Sequence, residues 1–161
     1  MKTLLVYFSA DGNTERAALT IAPLVGAIAI KLEPVKAYPR FLLARFPAGA
    51  LEAMRGKARA IKDIGVKVAD FDRIIIGTPT WMGRMPGVVR SFVQNNNFAG
   101  KQLAFFASCM HVPQDTIIEP ELMIQGATVI GRRVFTHADL AGKNGSLETL
   151  CREFADRFDF N

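Results

Sequence analysis

The chain has 161 residues, half of them hydrophobic and 22% charged, a balance that suits a packed core and excludes wholesale disorder. Its formal charge of +5 favours acidic or phosphorylated partners. Lys and Arg are scattered, however, and no basic run interleaves with aromatics, which argues against nucleic-acid binding.

The length suits a single domain over 1–161. The opening "MKTLLVYF" is too short for the ~7–15-residue apolar core of a secretory signal with its cleavage site. No run approaches the ~20 apolar residues of a membrane span. Cys109 and Cys151 form no metal-ligand spacing, and His111 and His137 stand apart, so no metal site is expected. The expectation is a reduced, cytoplasmic protein.

"LLVYF" (4–8) is a continuous apolar run, as in a strand covered on both faces. Ala17, Ala18, Ile21, Ala22 and Val25 then recur at helical spacing, with Pro23 expected to kink or end that helix. "AIAIKL" (27–32) alternates, suggesting a strand nearer the sheet edge. The segment from Pro34 to Ala69 has no single period and reads as one helix plus an excursion. "RIIIG" (73–77) and "QLAFFA" (102–107) are again buried runs, and "TVIGRRVF" (128–135) is a fifth strand. Pro86 opens a helix with Val88, Val89, Phe92 and Val93 on one side. Thr116-x-x-Glu119 reads as a capping box, with Pro120 early in its helix. Ser146 caps the last helix, whose stripe is Leu147, Leu150, Cys151, Phe154, Ala155 and Phe158, so that Cys151 reads as a buried thiol. Strands alternating with helices predict an α/β fold with a parallel sheet, and such sheets bind ligands beyond the strands' carboxyl ends.

Three loops lie there. "SADGNT" offers Ser9, Asn13 and Thr14 as donors and Gly12 for close backbone approach, at a helix N-terminus that favours phosphate. The alternative is an ordinary cap formed by Asn13 or Thr14. No Lys follows the glycine as in a P-loop, and no GxGxxG occurs. "GTPTWMGRMPG" (77–87) holds Trp81, the only tryptophan, which either plugs the sheet end or forms a wall for a planar ligand. "ASCMHVPQD" (107–115) lacks the Arg of a tyrosine phosphatase, since position 115 is Asp. A receiver domain would need an Asp where Gly77 and Thr78 stand.

Together, "VYFSADGNTE", "IIIGTPTWMGRMPGVVRSFV" and "GKQLAFFASC" resemble flavodoxin-like FMN proteins, especially small flavodoxin-family proteins and NAD(P)H-dependent flavin oxidoreductases. "YPRFLLARFPAGALEAMRGKA" resembles a segment some of these carry before strand three. The resemblance implies a flavodoxin-like three-layer α/β/α fold, its five-stranded parallel sheet in the order 2-1-3-4-5. It also implies one FMN. Ser9, Gly12, Asn13 and Thr14 would hold the phosphate, Thr78, Pro79, Thr80, Trp81, Met82 and Gly83 would line the flavin, and Ser108, Cys109 and Met110 would close the other side. Asp11 departs from the Thr or Ser of relatives, and Met110 and His111 from their glycines. A carboxylate beside a phosphate either weakens binding or turns away, to solvent or into a helix cap.

Three functions follow from the resemblance: an FMN oxidoreductase passing electrons from NAD(P)H to a quinone-like or other small acceptor; an electron-carrier flavodoxin serving protein partners; or a degenerate fold binding another ligand or a protein. Arg84 follows the ring-lining stretch with no acid in its loop, and a cation there would favour the fully reduced flavin over the one-electron form.

Overall fold

The computed structural model describes residues 1–39, 42–110 and 118–157, the side chains of 42–47 and 118 excepted. Five strands, β1 (Thr3–Tyr7), β2 (Ala27–Lys31), β3 (Arg73–Pro79), β4 (Gln102–Cys109) and β5 (Thr128–Thr136), pair in the order β2-β1-β3-β4-β5. Every ladder is parallel. The expected sheet and strand order are both present. A register shift at Leu103/Ala104 lets β5 follow β4 past Gly131.

Alternation along the strands builds two cores. Leu4, Val6, Phe8, Ile74, Ile76, Leu103 and Phe105 face one way, onto Val88, Val89, Phe92 and Val93 of α3 (Gly87–Gln94). Leu5, Tyr7, Ile75, Ala104, Phe106 and Phe135 face the other way, onto α1 (Asn13–Leu24) and α6 (Leu147–Arg157). Each fully buried Leu, Ile or Phe contributes about 1.5–3 kcal/mol, so the sheet is the scaffold on which the loops depend.

Pro23 stands one residue before the end of α1, and Gly26 at φ +60° turns the chain into β2. The Ser146 hydroxyl accepts from Thr149 N–H at 3.1 Å, as its N-cap role requires, and the α6 stripe is buried from Leu150 through Ala155. Phe158, Thr116 and His111 lie outside the described residues. The Glu119 carboxylate, expected in a capping box, accepts instead from Met85 N–H at 3.0 Å and pairs with Arg90 across α3 and α4 (Ile118–Met123). Residues between β2 and β3 hold the helix α2 (Leu42–Met54) and a short 3-10 turn at Val68–Asp70, and Pro34 bridges to Ile61 beyond the end of β2. Among the described residues, no helix is long and apolar enough to cross a membrane.

A methyl group at Gly77 would sit 2.2 Å from Phe106 Cζ. Phe106 is fully buried and packs edge-on against Phe135 and Phe154, so it has nowhere to retreat. Gly77→Ala therefore overpacks the sheet and lowers the unfolding free energy by about 1–3 kcal/mol, measured by denaturant titration. An unchanged midpoint would contradict this packing.

Candidate functional site

Strand order reverses between β1 and β3. Their following helices leave for opposite faces and open a crevice at the carboxyl edge. At its β1 side, Gly12 is the N-cap of α1 at φ +83°, and a glycine brings no side chain of its own to cap the helix. Gly12 is thus needed for its left-handed backbone; a Cβ there would meet nothing within 4 Å. The first amides of a helix have no intrahelical acceptor, so this turn is a fit place for an anion. Neither Asn13 nor Thr14 caps the helix. The Thr14 hydroxyl is spent on Ser108 Oγ, a buried contact of 2.7 Å that ties α1 to β4. Asp11 is exposed at the rim.

On the β3 side, Trp81 and Arg84 exchange backbone hydrogen bonds of 2.9 and 3.0 Å around Met82 and Gly83. Both turn residues have positive φ, 51° and 76°, a conformation that costs methionine energy and marks a constrained turn. Thr80 N–H donates to Ser108 O at 2.9 Å, joining this loop to β4. Trp81 packs edge-on against Tyr38 (4.9 Å between ring centres) and Phe8 (5.7 Å). The indole therefore folds back onto its own chain, and it also lines the cleft described next.

The cleft between these loops measures about 220 Å³ and is lined by Ser9, Ala10, Asp11, Asn13, Thr14, Pro79, Thr80, Trp81, Ser108, Cys109, Met110, His137 and Leu140. Thr80 Oγ1, in this lining, is buried and has no hydrogen-bond partner among the described residues. An orphaned hydroxyl beside a helix N-terminus fits a ligand carrying both a phosphate and polar atoms, as FMN does. The volume is below the about 300–1,000 Å³ usual for small-molecule sites, so part of such a ligand would stand in the open mouth. A wider groove of about 810 Å³ lies at the opposite, amino-terminal edge, with Lys2, Gly26 and Lys67 in its walls. The smaller cleft is the better candidate because it lies at the strand-order reversal and holds the orphaned hydroxyl.

Several expected residues stand elsewhere. Thr78 is buried and donates to Pro79 O at 3.0 Å, and neither it nor Met82 nor Gly83 is in the lining. Arg84 meets Glu119 at 3.5 Å, so its charge is opposed by an acid from another element. Cys109 is buried and its thiol is pushed up to about 11 by desolvation and then by Asp139, which keeps it protonated at neutral pH. His137 and Leu140 escaped the sequence reading, which followed only the loops after β1, β3 and β4. Their signal was Thr136-x-x-Asp139, a capping box that starts α5 (His137–Leu140) at the end of β5.

Both tyrosines donate to carboxylates near the site: Tyr7 to Glu15 at 3.0 Å, and Tyr38 to Glu52. Burial, and then the Glu15 hydrogen bond, push Tyr7 up to about 12; burial and Glu52 raise Tyr38 too. The unfolded chain releases these protons near pH 10, the folded chain later. Their stabilisation is thus complete below about pH 10 and is lost as pH rises toward 12. Phenolate absorbance should lag behind model tyrosine and rise together with loss of circular dichroism. A rise near pH 10 in folded protein would contradict these contacts.

A family profile described as Flavodoxin matches residues 2–119. The NAD(P)H dehydrogenase (quinone) of Geotalea uraniireducens is 30% identical over 148 residues, covering 81% of this chain and 71% of that protein. A Bacteroides eggerthii structure assigned as a flavoprotein superposes with TM-score 0.77 at 21% identity, covering 98% of this chain and 97% of the other. A Lactobacillus acidophilus flavoprotein in complex with FMN superposes with TM-score 0.70 at 19% identity, covering 83% and 92%. By profile, relative and fold alike, the chain belongs to the flavodoxin family.

Proposed function

We propose that this chain is an FMN oxidoreductase that passes electrons from NAD(P)H to a quinone-like or other small acceptor. The observation that carries the cofactor assignment is Thr80 Oγ1, buried and without a partner among the described residues, beside the glycine N-cap of α1. The kinship with a protein named NAD(P)H dehydrogenase (quinone) supports the choice of donor and acceptor. When bound, FMN supplies the redox chemistry, so no protein acid or base is required.

The chain's own residues bind and orient. Amides of the α1 first turn and the Ser9 and Asn13 side chains take the phosphate. Thr14 takes part through its backbone, because its hydroxyl holds Ser108 in place. Thr80 Oγ1 meets a polar atom of the ligand, and Trp81 walls the ring. Cys109, neutral at physiological pH, adds no charge beside the flavin. The exposure of Met82 and Met110, at 57% and 77%, favours a second reading, an electron carrier whose protein partner docks on this apolar rim.

Fluorescence titration of wild type and Asp11→Thr with FMN, followed by anaerobic NAD(P)H, tests the proposal. Wild type should quench flavin emission, with no quenching by ~100 μM FMN counting against it, since even a ~1 μM site is worth about 8 kcal/mol. Asp11→Thr should bind about tenfold more tightly, ~1.4 kcal/mol, because a like charge leaves the rim. Unchanged affinity would show that the carboxylate points away from the phosphate. Bleaching of the bound flavin by NAD(P)H supports the enzyme; a flavin that NAD(P)H leaves oxidised favours the carrier.

A further inference from the structure

We propose that Gly49 is a positioning residue that acts through Trp81, setting how far the indole stands into the ring end of the cleft. Gly49 is buried within α2, and its φ lies outside the positive region that favours glycine. A glycine inside a helix costs about 1 kcal/mol relative to alanine, so the backbone gives no reason for it. The neighbouring side chain does. A methyl at Gly49 would lie 2.5 Å from Trp81 Cζ3, 2.7 Å from Cε3 and 3.1 Å from Cη2, the benzo edge of the indole.

The other walls are firm. Tyr38 and Phe8 meet the indole at 82° and 81°. Tyr38 is itself held by its hydrogen bond to Glu52 and by the Arg59 guanidinium, 4.0 Å from its ring centre. Arg59 is anchored in turn on Glu52, its Nε donating at 2.7 Å. With these sides closed, an indole pushed off Gly49 yields toward the cleft that it lines. The segment between β2 and β3 is therefore the back support of the aromatic wall, and Gly49 is the point where that support sets its depth. The proposal rests on the flavin reading above, since the wall is taken to face an isoalloxazine ring.

Trp81 is the only tryptophan, so emission excited at the red edge of the indole band, where the two tyrosines do not absorb, reports on it alone, with no cofactor needed. Gly49→Ala, Trp81→Phe and the double variant are compared with wild type. Gly49→Ala should shift Trp81 emission and its acrylamide quenching and lower the melting temperature. The smaller Phe should recover most of that loss in the double variant, even if Gly49→Ala alone does not fold. Affinities for FMN and riboflavin should fall together in Gly49→Ala, by about fivefold (~1 kcal/mol), because only the ring end is disturbed. Unchanged emission, a double variant that melts no higher than Gly49→Ala, or an affinity loss for FMN alone would each overturn the proposal. Failure of wild type to bind any flavin would sink the flavin reading instead, while emission and melting would still decide the seat of the indole.

Discussion

The reversal of strand order between β1 and β3 governs the rest of the structure. Because β1 is followed by a helix on one face and β3 leads to a helix on the other, the two loops part and cannot cover each other's backbone. Two polar features are left facing the gap. The first turn of α1 starts at a glycine, which has no side chain to cap it, and Thr80 Oγ1 has no partner among the described residues. A buried polar group is costly without a partner, which makes the crevice the candidate site.

The loops on either side are fixed more firmly than their composition suggests. Ser108 accepts the Thr80 amide through its carbonyl and meets Thr14 through its hydroxyl, so one residue of β4 registers both the α1 and β3 loops. Losing the Thr14 hydroxyl would leave Ser108 Oγ buried without this contact, a cost of about 1–3 kcal/mol. The turn after β1 thus divides its labour: Gly12 supplies the backbone conformation and Thr14 the brace. Asp11 stands exposed at the rim.

What the sequence made legible follows the range of the interactions. The central strands β1, β3 and β4 were readable because a parallel sheet buries both faces and leaves uninterrupted runs such as "RIIIG", and the edge strand β2 because its residues alternate. The turn after β1 was readable because turn chemistry is local, with Gly12 taking the left-handed backbone at the start of α1, whereas Thr80 was pointed to only by the family resemblance. Contacts across the chain were not. Glu119 comes from α4 to oppose Arg84, so a loop without acids is not a loop without negative charge. Tyr38 and Gly49 come from a segment of no single period and carry the indole between them. His137 and Leu140 reach the cleft only because β5 runs parallel beside β4, a pairing no local pattern reveals. The charge beside the Trp81 loop is therefore that of the Arg84–Glu119–Arg90 group rather than of Arg84 alone.

The most direct measurement is a crystal structure of the protein grown with FMN. The account predicts phosphate oxygens on the amides at the start of α1 and a ligand polar atom within hydrogen-bond distance of Thr80 Oγ1. A flavin bound elsewhere, or one that leaves Thr80 Oγ1 without a partner, would contradict it.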